Sequence, residues 1–176
     1  MSAVRTKLAA FRWLGLPTLA ALNVIVPALL LVLSAVGLGI GGYLSYTHWA
    51  DKVVACGGLG DCEVVQNSDY ATLGPVPVAL LGVLAYAGMG SLALLTLWRR
   101  SPALEWPILV FWAAALAGTA YSAYLTYVEL FVLEAICVWC VASAVVVTVS
   151  LLVSTAYIVA LESTLAPEDA EPEDTA

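Results

Sequence analysis

Long apolar runs, interrupted by short polar segments, lay out this 176-residue chain. The first run carries no Lys, Arg, Asp or Glu over residues 13–50, a 38-residue stretch and more than one membrane crossing needs. Pro17, Asn23 and Pro27 lie in its first half. We read 1–22 as a basic N-terminal and interfacial segment and 23–46 as the first span. Pro27 is tolerable near the start of a helix and kinks one further in. The run far exceeds the apolar core of a cleaved signal peptide, so it reads as a retained span.

A polar segment follows over 47–77, with Asp51, Lys52, Asp61, Glu63 and Asp69. Its Gly57-Gly58-Leu59-Gly60 and Gly74-Pro75-Val76-Pro77 runs are turn signals. Residues 63–68 suit a short helix lying on the membrane surface. The second span is expected over 77–98, with Pro77 in the first turn, where its missing N–H costs nothing. Arg99 and Arg100 close it. The third span is expected over 107–128 and the fourth over 135–161, joined by a tight connection at 129–134. Twenty-two helical residues cover about 33 Å, enough for a hydrocarbon core of about 30 Å. The predicted fold is an all-α integral membrane protein: a four-helix bundle over 23–161, with a cysteine-containing outer loop capping a pocket. Residues 162–176 are acidic, contain proline, lack apolar periodicity and are expected to be disordered.

Composition agrees. The chain is 62% hydrophobic and 11% charged, where soluble proteins average roughly half and a quarter. Its net charge of −7 reflects six acids in the last fifteen residues, so the bundle itself is nearly neutral. No basic patch points to nucleic acid.

Five of the six basic residues (Arg5, Lys7, Arg12, Arg99 and Arg100) flank span ends that must share one side. Lys52 alone lies on the other. The positive-inside rule then makes both termini cytoplasmic and the multi-pass protein a component of the cell membrane. Cys56, Cys62, Cys137 and Cys140 all fall on the extracytoplasmic side, although the rule takes no account of cysteine.

Those four cysteines are the candidate chemistry. Cys137-Val138-Trp139-Cys140 opens the last apolar run. Thiols three apart on a helix share a face and can close a disulfide, and a helix N-terminus favours the reactive thiolate. A bridge within one turn constrains little chain entropy, so a purely structural role suits this pair poorly. Cys56 and Cys62 flank the glycines of the polar loop, where a structural disulfide is plausible alone. The same four thiols also allow a soft-metal transporter or sensor, although the five-residue gap is loose for zinc and His48 is the only histidine. A redox relay uses both pairs: the water-exposed loop pair meets an incoming protein, and the C-x-x-C pair at the bilayer edge meets a lipophilic oxidant such as a quinone.

This ordered set resembles the vitamin K epoxide reductase family, in its small bacterial form without a fused thioredoxin domain. The resemblance rests on Cys56, Cys62, Ser68, the Gly74-Pro75-Val76-Pro77 entry to the second span with Gly82 and Tyr86, and the C-x-x-C at Cys137 and Cys140. The other bacterial quinone-linked thiol oxidases place C-x-x-C in the first outer loop instead. The resemblance implies that Cys56 and Cys62 take electrons from a thioredoxin-fold partner of the DsbA type. Cys62 then exchanges with Cys137, and Cys140 delivers electrons to a membrane quinone such as menaquinone or ubiquinone. Such a partner lies near roughly −120 mV, so the oxidant must lie above that. Ser68 is expected near the quinone. Animal members use an Asn at the start of the second span and a Tyr four residues after the last Cys. The corresponding positions here are Val78 and Ala144, which points to simple quinone reduction rather than epoxide chemistry.

Tyr121, Tyr124 and Tyr127 recur at the outer end of the third span. They suit an interfacial aromatic belt, with Tyr121 and Tyr124 as a candidate wall of the quinone pocket. Trp139 either stacks on the quinone or anchors its helix. Glu129 and Glu134 are expected to mark the membrane boundary, with Glu134 opposing thiolate formation at Cys137. Asn23 is expected to bond another helix.

Overall fold

The computed structural model describes residues 2–50, 52–58, 60–99 and 106–165, with side chains described only within 21–162. The expected tail at 166–176, the 101–105 connection and the side chains of Arg5, Lys7, Arg12 and Arg100 lie outside the described residues.

Among the described residues, four helices are long and apolar enough to cross a membrane: α1 (Ser2–Trp49), α3 (Val78–Arg99), α4 (Trp106–Phe131) and α5 (Val138–Leu165). Their apolar side chains face outward as well as inward; Leu84 and Leu152 are each 63% exposed, as lipid-facing residues are in a protein described without its bilayer. Between α1 and α3 come α2 (Cys62–Gln66), a 3₁₀ turn (Asp69–Ala71) and a two-stranded antiparallel hairpin of β1 (Thr72–Leu73) and β2 (Val76–Pro77).

The span boundaries differ from expectation in three places. α1 runs unbroken through Pro17 and Pro27, so no break in the helix separates an interfacial approach from the first span. α4 continues through Glu129 to Phe131, beyond the expected end at 128, which carries Glu129 into the bundle. α5 starts at Val138 rather than 135, and it continues past Glu162 to Leu165, so the acidic segment is helical at its start.

α1 packs most extensively on α3, and α5 bridges α1 and α4. In lipid the association rests on close packing and interhelical hydrogen bonds rather than on water exclusion. Gly37 shows the closeness: a Cβ there would run into the Tyr86 ring of α3. Leu30, Phe111 and Ala115 are fully buried at the centre. Among the described residues, buried polar side chains are paired across helices or back to their own backbone, except the Ser45 hydroxyl, which has no partner. Tyr157 Oη donates to Asn23 Oδ1 at 2.9 Å, joining α5 to α1 as expected for Asn23. Tyr86 Oη lies 3.0 Å from both the Ser143 carbonyl and its hydroxyl, joining α3 to α5.

Candidate active site

The end of the bundle that carries the cysteine loop holds a second buried cluster, in which Cys62 and Cys137 are packed with Ile40, Leu44, Val54 and Val65. Cys56 and Cys140 lie against it, partly buried. Cys56 and Cys62 form a disulfide, with Cα atoms 6.2 Å apart. Cys137 and Cys140 are free thiols.

Three hydrogen bonds seat the loop on the bundle, and they fall on the residues just ahead of its two cysteines. Ala55, before Cys56, donates its N–H to Tyr43 Oη at 3.0 Å and accepts from Trp139 Nε1 at 3.0 Å. Asp61, before Cys62, donates its N–H to the Ile136 carbonyl at 3.0 Å. The Tyr43 and Trp139 rings meet at 5.0 Å between centroids. Trp139 is therefore a clamp on the cysteine loop, and it does not line the pocket as a quinone-stacking ring would. Gly60 makes the approach possible. Its φ of 113° is open to glycine, and a Cβ there would strike the Ile136 carbonyl.

The C-x-x-C pair straddles the helix start. Cys137 is the residue before α5, and its carbonyl accepts the N–H of Val141 at 3.0 Å. Its thiol is held down to about 7 from an ordinary 9.0. The largest cause is the hydrogen bond from the Cys140 thiol, helped by the N–H groups of Cys140 and Trp139 and opposed by burial and the Glu129 charge. The free N–H groups of a helix N-terminus thus favour the thiolate at Cys137, as its position in the sequence predicts.

The opposing carboxylate is Glu129, not Glu134. Glu134 is exposed, at a φ of 48° in the connection to α5. Glu129 is only 4% exposed, and its Oε2 accepts the Cys137 N–H at 3.1 Å. It lines the same cavity as Cys140. Reading Glu129 as a boundary marker fails because α4 extends one turn further than its apolar run suggests.

Below the cysteines lies a cavity of about 540 Å³ between α1, α3, α4 and α5, roofed by α2 and the 3₁₀ turn. That size holds a small organic ligand. Cys140 lines it and Cys137 does not. Ser68 lines it from the roof, its hydroxyl bonded to the Val65 carbonyl at 2.7 Å, and Val78, Gly82 and Tyr86 line it from α3. Tyr121 forms part of the wall, but Tyr124 does not. Three residues along a helix rotate the side chain by about 60° from its predecessor, and Tyr124 is half exposed, its ring tilted against that of Tyr121 with centroids 6.2 Å apart. Ser143, rather than Ala144, faces the cavity from α5.

The walls are mostly apolar, with Ser68, Ser122, Thr126, Ser143, Glu129 and Cys140 supplying polar groups, a lining that fits a flat, largely apolar ring bearing a few oxygens. Among the described residues, no three His, Cys, Asp or Glu side chains gather as a metal-holding group. A model of the vitamin K epoxide reductase family matches residues 28–155, nearly three quarters of the chain.

Proposed function

The chain belongs to the vitamin K epoxide reductase family of membrane disulfide oxidoreductases, and from that premise we propose that it oxidises an extracytoplasmic thioredoxin-fold dithiol partner of the DsbA type and passes the electrons to a membrane quinone. The observation that carries this reading is the division of the C-x-x-C pair. Cys137 is buried beside Cys62, whereas Cys140 opens into the cavity. Thiol exchange needs the first arrangement and delivery to a lipophilic acceptor needs the second.

Each step moves one electron pair by exchange of sulfur partners. The partner's thiolate attacks the Cys56–Cys62 disulfide, and the partner leaves oxidised. Cys62 thiolate then attacks Cys137 of a closed Cys137–Cys140 bond and releases Cys140. Cys56 attacks Cys62 in turn, regenerating the loop disulfide and leaving Cys137 and Cys140 reduced. The described state, with the loop pair closed and the C-x-x-C pair free, corresponds to this last stage. Quinone, when bound, supplies a two-electron, two-proton acceptor. Ser68, Tyr121 and Ser143 would hold it against Cys140, while the roof of α2 and the 3₁₀ turn keeps water from the sulfur. The positive-inside pattern of Arg5, Lys7, Arg12, Arg99 and Arg100 supports cytoplasmic termini and an outward-facing cysteine end.

The test is purified protein in lipid vesicles, supplied with a reduced thioredoxin-fold protein and a naphthoquinone or benzoquinone. Hydroquinone should accumulate in step with partner disulfide, and each of the four Cys→Ser changes should abolish it. Hydroquinone formation that persists in Cys137→Ser would sink the relay. Stoichiometric zinc or copper(I) in the purified protein, with no quinone turnover, would favour a metal function for the same thiols.

A further inference from the structure

The relay leaves one buried ionisable group without a task. Glu129 is 4% exposed within a bundle read as membrane-embedded, where an ionisable side chain is costly unless it is bonded and used. It bonds the Cys137 N–H at 3.1 Å, and it lines the cavity together with Cys140. Among the described residues, no other one lining the cavity carries a formal charge; the remaining titratable groups on its wall are Cys140, Tyr70, Tyr86 and Tyr121. Cys137 meets Glu129 from the start of α5 and does not line the cavity.

Two acceptors serve the neighbourhood of the Cys140 thiol proton: the Cys137 sulfur, three residues earlier, and the carboxylate of Glu129, which bonds the Cys137 N–H at 3.1 Å and lines the same cavity as Cys140. When Cys137 sulfur enters a disulfide it can no longer hold that proton. The Glu129 carboxylate is then the acceptor left on the cavity wall that Cys140 shares. We propose that Glu129 is the catalytic base of the site, taking the proton from Cys140 Sγ as the Cys137–Cys140 bond closes and handing it to an oxygen of the oxidant in the cavity.

The assignment rests on the quinone-linked reading above. Atoms and electrons balance as follows. Cys137 thiolate and Cys140 thiol form one S–S bond and release two electrons and one proton. Glu129 carries that proton. One further proton from water, with both electrons, completes the conversion of quinone to hydroquinone. In the opposite direction, protonated Glu129 gives the proton back as Cys140 leaves Cys137.

Two measurements on the full chain in lipid vesicles decide it. In the first, pre-reduced protein is mixed with a naphthoquinone and closure of Cys137–Cys140 is followed against pH. Glu129→Gln keeps an acceptor for the Cys137 N–H but cannot take a proton near neutrality. It should slow closure by about a hundredfold at pH 7 and make the rate climb with hydroxide. Glu129→Asp should fall between, and it decides the matter if the Gln variant does not fold. The second needs no quinone. In a Cys56→Ser background the Cys62–Cys137 mixed disulfide is resolved by Cys140, and its lifetime should lengthen at least tenfold with Glu129→Gln. Unchanged closure rates and unchanged lifetimes overturn the assignment. Should the wild type fail to pass electrons to quinone, that reading of function falls, and the mixed-disulfide lifetime alone decides for or against Glu129.

Discussion

The backbone N–H of Asp61 donates to the carbonyl of Ile136 at 3.0 Å, joining the residue before Cys62 to the residue before Cys137. One peptide hydrogen bond therefore sets the loop cysteine beside the C-x-x-C cysteine, without relying on side-chain packing to find the register.

Gly60 is what lets Asp61 reach Ile136. Gly60→Ala adds a Cβ against that carbonyl and leaves an L side chain at a φ of 113°. The strain is on the order of 1–3 kcal/mol, and the loop should lift from the bundle to relieve it. Transfer between Cys62 and Cys137 should slow by up to about 10²-fold, with all four thiols still present. Quenched-flow trapping of thiol states reads this directly.

The Trp139 clamp separates into two parts. Trp139→Phe keeps a ring against Tyr43 but removes the indole N–H that bonds Ala55. The loss should be about 0.5–1.5 kcal/mol, seen as faster proteolysis within 52–61 and not as weaker quinone binding. A large fall in quinone affinity would return Trp139 to the pocket wall.

Cys137 should titrate near pH 7 in the reduced protein, where an ordinary thiol titrates near 9.0. Because the folded value is depressed, the reduced fold gains stability as pH rises through this window. The gain is complete above the unfolded value and is lost as pH falls through about 7. Thiolate absorbance of the reduced protein should show this midpoint. Glu129→Gln should move it lower still, since it removes a charge that opposes the thiolate.

Gly37→Ala should test the α1–α3 contact. Its Cβ would push the Tyr86 ring away from Gly37 and pull its hydroxyl from Ser143, which lines the cavity. Overpacking of this kind costs about 1–3 kcal/mol. The thermal midpoint should drop, and quinone should protect the variant less than the wild type.

The spans were legible because lipid demands long uncharged runs and because proline and arginine mark their ends. The Cys56–Cys62 disulfide was legible because the two cysteines flank a short glycine-rich run. Glu129 was hidden. A glutamate eight residues before Cys137 looks like the end of a span, and only the extra helical turn to Phe131, followed by the reversal through Glu134, aims it back under the thiols. The part played by Trp139 was equally hidden, since its partner at Ala55 is 84 residues away and bonds through backbone. The three tyrosines of α4 share a spacing but not a face with the cavity, and only Tyr121 reaches it.

The most direct measurement of electron passage between the two pairs uses the Cys56→Ser/Cys140→Ser double variant in native membranes. Each pair then keeps only the thiol that faces the other. Mild oxidation followed by peptide mass spectrometry should recover Cys62 linked to Cys137 within one chain, as the dominant disulfide. Recovery of both as separate free thiols, or linked only between different chains, would contradict a transfer from the loop to the head of α5.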